Sequence, residues 1–109
     1  MLDALFGNPT AAKVLAFVAL NREAYAQELA DRFALSLSTV QNQLRRLADG
    51  GVLVAVERGR TRLYGLNPRF ALARDLESML RRAVELMPER ERERYTARRR
   101  PRAPGKRLR

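Results

Sequence analysis

Hydrophobic residues recur at helical spacing through the first half of the chain and then change period. Leu2, Leu5 and Phe6 form an apolar lead-in of one or two helical turns that ends at Gly7. Asn8-Pro9-Thr10 reads as a helix start, with Asn8 as the cap and Pro9 at the first helical position, where its missing N–H costs nothing. The helix that follows, to about Leu20, is apolar on most sides apart from Lys13, which predicts a position at the centre of the domain. Asn21-Arg22-Glu23 is a polar break, and Ala24-Tyr25 is expected to run briefly extended.

From Tyr25 to Gly51 two helical registers meet at a corner. Leu29, Ala30 and Phe33 carry the first, the pattern stops at Leu35-Ser36-Leu37, and Val40, Leu44 and Leu47 carry the second. Two short helices joined so tightly make a helix-turn-helix. Ser36 is the expected N-cap of the second helix, and the Gly50-Gly51 pair supplies a left-handed residue at its far end. Advancing about 100° per residue, Leu44 and Leu47 share the face of Val40, while Ser38, Asn42, Arg45 and Asp49 fall opposite, flanked by Thr39, Gln41 and Arg46. Gln and Asn can pair bidentately with adenine, Arg with guanine, and hydroxyls with bases or phosphates. A plain amphipathic helix with a solvated face shows the same pattern, so the elements that follow have to separate the two readings.

After Gly51 the period becomes that of strands. Val52 to Val56 is a β-rich run, Gly59-Arg60 a turn, and Thr61 to Leu66 a second run, which together predict a β-hairpin. Arg58, Arg60 and Arg62 cluster at its tip. A solvated hairpin end also suits arginine, but the order helix, helix, hairpin is that of a wing lying along a nucleic-acid backbone. Asn67-Pro68 repeats the earlier start signal, predicting a helix from about Arg69 to Met87, ended by Pro88. Its apolar set exceeds one stripe. Leu72, Leu76, Met79, Leu80, Ala83 and Leu86 are the expected dimer interface, because one side of a small domain cannot cover them all.

Composition sharpens this picture and removes alternatives. The chain has 109 residues, enough for one domain, with a formal net charge of +10 and a pI near 11.4, which favours a polyanionic partner. Only Lys13 and Lys106 are lysine, the other basic residues being arginine, a skew that genomic base composition also produces. Most of the excess lies from residue 88 onward, where ten basic residues face three acidic ones. Glu89 to Arg94 alternates in sign and is compatible with continued helix. Residues 98–109 lack any apolar period, so 88–109 is expected to be a basic, disordered tail and 1–87 the folded domain. With no cysteine and no histidine, disulfide, thiolate and imidazole chemistry are excluded. No catalytic residue, metal site or cofactor is expected. The longest apolar run, Val14 to Leu20, is too short to span a bilayer, so the expected location is cytoplasmic, at the nucleoid when bound to DNA.

Three segments, LFGNPTAAKVLAFVAL, YAQELADRFALSLSTVQNQLRRLADGGVLV and ERGRTRLYGLNP, resemble the ArsR-type winged helix-turn-helix regulators. The resemblance implies a mainly α fold with a β-hairpin wing, and a homodimer built on terminal helices. It also implies repression of transcription through double-stranded DNA, relieved by a signal. The DNA-contacting residues it points to are Ser36, Ser38, Thr39, Gln41, Asn42, Arg45, Arg46, Arg58, Arg60 and Arg62. Metal-sensing members of that family use thiolates, imidazoles and acids on the first motif helix or the last helix; this chain offers neither thiolates nor imidazoles there, so metal sensing is unsupported and the effector is left open. A winged helix that holds a partner protein, such as an antitoxin-like subunit, is the competing class. RNA binding through the arginine-rich end is a weaker third reading.

Overall fold

The computed structural model describes residues 1–96. The elements run α1 (Leu2–Phe6), α2 (Pro9–Asn21), α3 (Ala26–Phe33), α4 (Leu37–Asp49), β1 (Leu53–Arg58), β2 (Thr61–Leu66), α5 (Ala73–Glu85) and α6 (Glu89–Thr96). α2 starts as its sequence predicts: the Asn8 side chain accepts from the Ala11 N–H at 3.0 Å, with Pro9 next to it. Nine of its thirteen residues are buried. It packs against α1, α4, α5, α6 and β2, and its buried alanines, Ala11, Ala12, Ala16 and Ala19, let those neighbours come close.

The corner of the motif is made by Ala34, Leu35 and Ser36. Ala34 takes a left-handed conformation (φ 55°), Leu35 N–H donates to the Ala30 carbonyl at 2.9 Å, and the Ser36 hydroxyl accepts from Thr39 N–H at 3.2 Å. At the other end of α4 it is Gly51 (φ 82°), not Gly50, that turns left-handed before the hairpin. β1 and β2 pair antiparallel from Leu53↔Leu66 to Arg58↔Thr61, leaving Gly59 and Arg60 as a two-residue loop. Gly59 supplies the positive φ that such a loop requires. Ala24 exchanges two backbone hydrogen bonds with Tyr64, so the expected extended stretch adds a third, one-residue strand. Gly65 lies so close to this stretch that a Cβ there would sit 2.9 Å from the Arg22 carbonyl oxygen. Helix, helix, hairpin on a helical core is a winged helix-turn-helix.

Two expectations change at the carboxyl side. The last long helix begins at Ala73, not Arg69: Asn67 Oδ1 accepts from Arg69 N–H at 3.0 Å in a local turn, while its amide donates to the Gly51 carbonyl at 3.0 Å. Tight turns through Phe70 then lead into α5. The expected boundary at 87/88 also moves, since residues 89–96 form α6 and Tyr95 is buried in the core. The Tyr95 ring lies 5.2 Å from Phe33, which meets Phe17 edge-on at 6.2 Å, so one aromatic chain joins α2, α3 and α6. Asn21 ties the same corner by donating to the carbonyls of Phe17 and Tyr95. Arg32, whose buried Nε has no hydrogen-bond partner, stands 5.3 Å over the Phe17 ring. Residues 97–109, with the expected disordered arginine cluster, lie outside the described residues. No helix of the described residues is long and apolar enough to cross a membrane.

Tyr95 also makes the domain's stability depend on alkaline pH. Burial, and then the carboxylates of Glu91 and Asp3, push its phenol up to about 12 from 10.0. A phenol is neutral below its pKa, so the raised folded value favours folding below about pH 10, and that contribution is lost as pH rises towards about 12. Urea denaturation across this window should show stability falling in the unmodified chain. Tyr95→Phe should flatten the fall; an unchanged slope would mean that another group is responsible.

Candidate nucleic-acid interface

α4 turns Val40, Leu44 and Leu47 into the core and leaves Ser38, Thr39, Gln41, Asn42, Arg45 and Arg46 exposed. Every sequence-predicted residue of this helix is therefore on the surface, though not all are free. The Ser36 hydroxyl is engaged in the cap, accepting from Thr39 N–H and donating to Thr39 Oγ1 at 2.6 Å, with the Ser38 hydroxyl 3.4 Å away. These hydroxyls set where α4 begins before they can meet a ligand. Further along, Arg45 donates to Asn42 Oδ1 at 3.3 Å and Arg46 Nε to Gln43 Oε1 at 3.1 Å. Such bonds between exposed side chains are readily exchanged for a ligand's, and they hold the guanidinium groups close to the helix until then.

The wing bounds a groove beside α4. Gln41, Arg45 and Asp49 form one wall, and Arg60, Thr61, Arg62 and Tyr64 the other, around a volume of about 580 Å³. The hairpin register divides the three wing arginines. Successive side chains alternate between faces, so Arg62, opposite Glu57, shares the face of Ala55 and Tyr64 towards this groove, while Arg58, opposite Thr61, lies on the other face with Val54 and Val56. Arg58 pairs there with Glu23 at 3.3 Å. Arg62 Nε donates to Glu57 Oε2 at 2.8 Å, and its hydrogen bonds to Glu57 and then Tyr64 raise its already high pKa further. Arg60 makes no ion pair among the described residues. Arg46 borders a different, apolar groove on another side of α4, so the predicted set does not converge on one surface.

Two groove residues escaped the sequence reading. Tyr25, half-exposed at 41%, and Gln27 line the same wall from the start of α3. Tyr25 occupies the N-cap position of α3 without a side-chain cap, which leaves first-turn N–H groups without that acceptor beside three arginines. Their signal was present as an aromatic and an amide directly before the motif's first apolar residue, but only the bridge between Ala24 and Tyr64 shows that this stretch adjoins the wing. Three guanidinium groups against one carboxylate, with amides and hydroxyls between, suit phosphates and base edges rather than bond-making chemistry. Among the described residues no group of three or more His, Cys, Asp or Glu side chains could hold a metal ion.

The comparisons with known proteins agree with this geometry over part of the chain. Residues 6–56 match a family model described as a helix-turn-helix domain. The match covers just under half of the chain, from the end of α1 into β1, and leaves β2, α5 and α6 outside it. No curated protein matches the chain.

The carboxylate on Arg62 gives the interface a measurable brake. Glu57→Gln should leave the fold intact, since both partners of the pair are largely exposed. It should tighten binding to a short duplex and steepen the log–log dependence of affinity on salt, by up to about 0.9 per freed arginine. Fluorescence anisotropy over a salt series reads both, and an unchanged slope would show that Arg62 does not meet a phosphate.

Proposed function

We propose that this chain is a sequence-specific double-stranded DNA-binding transcriptional regulator, acting as a homodimeric repressor of the ArsR-like kind and without a metal-sensing site. The observation that carries the reading is the groove just described, in which Gln41 and Arg45 on α4 face Arg60 and Arg62 on the wing. The helix-turn-helix match over residues 6–56 supports DNA as the partner. In this reading the first half of α4 enters the major groove, with Ser38, Gln41, Asn42 and Arg45 reaching base edges and Arg46 a phosphate. Arg60 and Arg62 follow the backbone beside it, and Tyr25 joins them from α3. Arg58 contributes only if it exchanges Glu23 for a phosphate.

The homodimer rests on α5, with a corrected set of residues. Leu80 is fully buried and Ala83 nearly so, against the core, so neither is available to a second copy. Leu72 (58% exposed), Met79 (38%) and Leu86 (58%) recur every seven residues along the outer side, with Leu76 half-buried between them. Over the two heptads that α5 and its caps span, such a repeat keeps its apolar side chains near one side of the helix, in a seam that drifts about 20° per heptad. α1 extends it: Phe6 borders the same groove as Leu72 and Met79, and Leu5 is exposed. A two-fold axis through this seam would set two α4 helices about one turn of DNA apart, ~34 Å.

Selection of bound sites from random duplexes at near-physiological salt should return a palindromic consensus. On that consensus Gln41→Ala or Asn42→Ala should cost ~1 to 3 kcal/mol, with binding to random duplexes nearly unchanged; equal losses on both would sink the assignment of α4 as the reader. Met79→Glu should give a folded monomer by sedimentation, whereas Leu80→Glu should unfold the domain, because it buries an unpaired charge. A monomeric unmodified chain at tens of micromolar would remove the dimer from the proposal.

A further inference from the structure

On the side of α4 away from the wing lies a groove of about 390 Å³ that touches α1, α2, α4, the turn before β1, and α5. That volume falls within the range of small-molecule sites. Its walls are apolar: Phe6 and Phe70 bring two aromatic rings, Leu15 forms part of the floor, and Met79, a side chain that adapts to irregular shapes, lies on the α5 side. Only two charged side chains border it, Arg46 from α4 and Asp75 from the first turn of α5. They are not paired with each other or with any other charged residue among the described residues. Arg46 uses its Nε on Gln43 Oε1, and no hydrogen bond among the described residues occupies its terminal nitrogens. An apolar slot bordered by a guanidinium with unused terminal nitrogens and by an unpaired carboxylate is complementary to a flat apolar molecule that carries an anionic acceptor for the one and a donor for the other.

We propose that this groove binds a small aromatic monocarboxylate with a hydrogen-bond donor at its other end. The ring packs against Phe6 and Phe70, the carboxylate takes the terminal nitrogens of Arg46 in the two-pronged geometry that guanidinium favours, and the donor reaches Asp75. A second carboxylate on the ligand is disfavoured by Asp75, and a simple amine by Arg46. The consequence for the protein follows from where Arg46 sits, one helical turn after Asn42 on α4. A bound carboxylate neutralises that arginine and holds it towards α5, so the ligand weakens DNA binding. This last step rests on the function proposed above, while occupancy of the groove does not. Phe6, Leu72, Leu76 and Met79 border both the groove and the proposed dimer seam, so ligand binding and self-association compete for one surface.

The test uses the full chain, free of DNA, titrated with a hydroxynaphthoate whose hydroxyl and carboxylate lie on opposite rings. Backbone amide resonances of Leu15, Arg46, Val52 and Leu76 should shift and saturate. Naphthol, which lacks the carboxylate, should bind about tenfold more weakly, and Arg46→Gln should reduce hydroxynaphthoate binding by a similar factor while leaving naphthol binding unchanged. Arg45→Gln, which alters the neighbouring arginine outside this groove, should change neither. Equal binding of naphthol and hydroxynaphthoate would overturn the proposal by showing simple apolar partition. Tighter binding of naphthylamine would overturn it in favour of a cationic ligand at Asp75. Groove resonances that move with protein concentration and resist the probe would overturn it in favour of a second copy as the occupant. In the DNA arm, hydroxynaphthoate should lower duplex affinity of the unmodified chain and not of Arg46→Gln. Saturable groove binding without that effect retains the site and removes only its link to DNA.

Discussion

The structure depends on one helix having almost no face towards water. α2 is buried along nine of thirteen residues, and α1, α4, α5, α6 and β2 pack along it, while α3 meets it through the Phe33 ring. That is possible because its buried positions mix large side chains, Val14, Leu15, Phe17 and Val18, with alanines that leave room for a neighbour's backbone. Phe17 is completely buried and passes the constraint on to α3, through Phe33, and from there to α6, through Tyr95. The orientation of α4 is a consequence of the same packing. Val40, Leu44 and Leu47 have to meet this core, which leaves Gln41, Asn42 and Arg45 no place but the outside.

What could be read from the chain follows from how local each signal is. Asn8-Pro9 and Ser36 announce helix starts within three residues of themselves, and both caps form as read. The hairpin declares itself by a change of period around Gly59-Arg60, and its two-residue loop sits there. The failures need a partner outside the residue's own element. Leu80 and Met79 are adjacent and equally apolar, and only the contact of α5 with α2 assigns one to the core and the other to the surface. Asn67 resembles Asn8 with its following proline, yet its Oδ1 accepts from the residue two positions on, where Asn8 reaches three, its amide is tied to the distant Gly51 carbonyl, and turns follow before the helix. α6 is an alternation of glutamate and arginine whose single anchor, Tyr95, has no period to announce it. The wing arginines read as one cluster, but the strand register sends Arg58 and Arg62 to opposite faces.

α4 thus borders two grooves besides the side it buries. One lies against the wing and is lined by three arginines, and the other is the apolar groove beside α1 and α5. Arg45 belongs to the first and Arg46 to the second, although they are neighbours in the chain. A helix of 3.6 residues per turn separates consecutive side chains by about 100°, so adjacent arginines serve different surfaces without any change in the backbone between them. Arginine suits both positions because it stays charged in either and its flat guanidinium can lie along apolar carbon.

Gly65 carries a final consequence. Its missing Cβ lets β2 press against the carbonyl of Arg22, itself in an unusual conformation for a non-glycine residue (φ 76°), while Ala24 hydrogen-bonds to Tyr64 one residue away. On its other edge the hairpin is braced through β1 against α4. The base of the wing is therefore held along β2 by backbone rather than by side chains that could give. A jaw held in this way has a fixed gauge. Any duplex lying between α4 and the wing has to adjust its own groove width to that gauge, so the stiffness of its base steps enters the affinity even where no side chain touches a base.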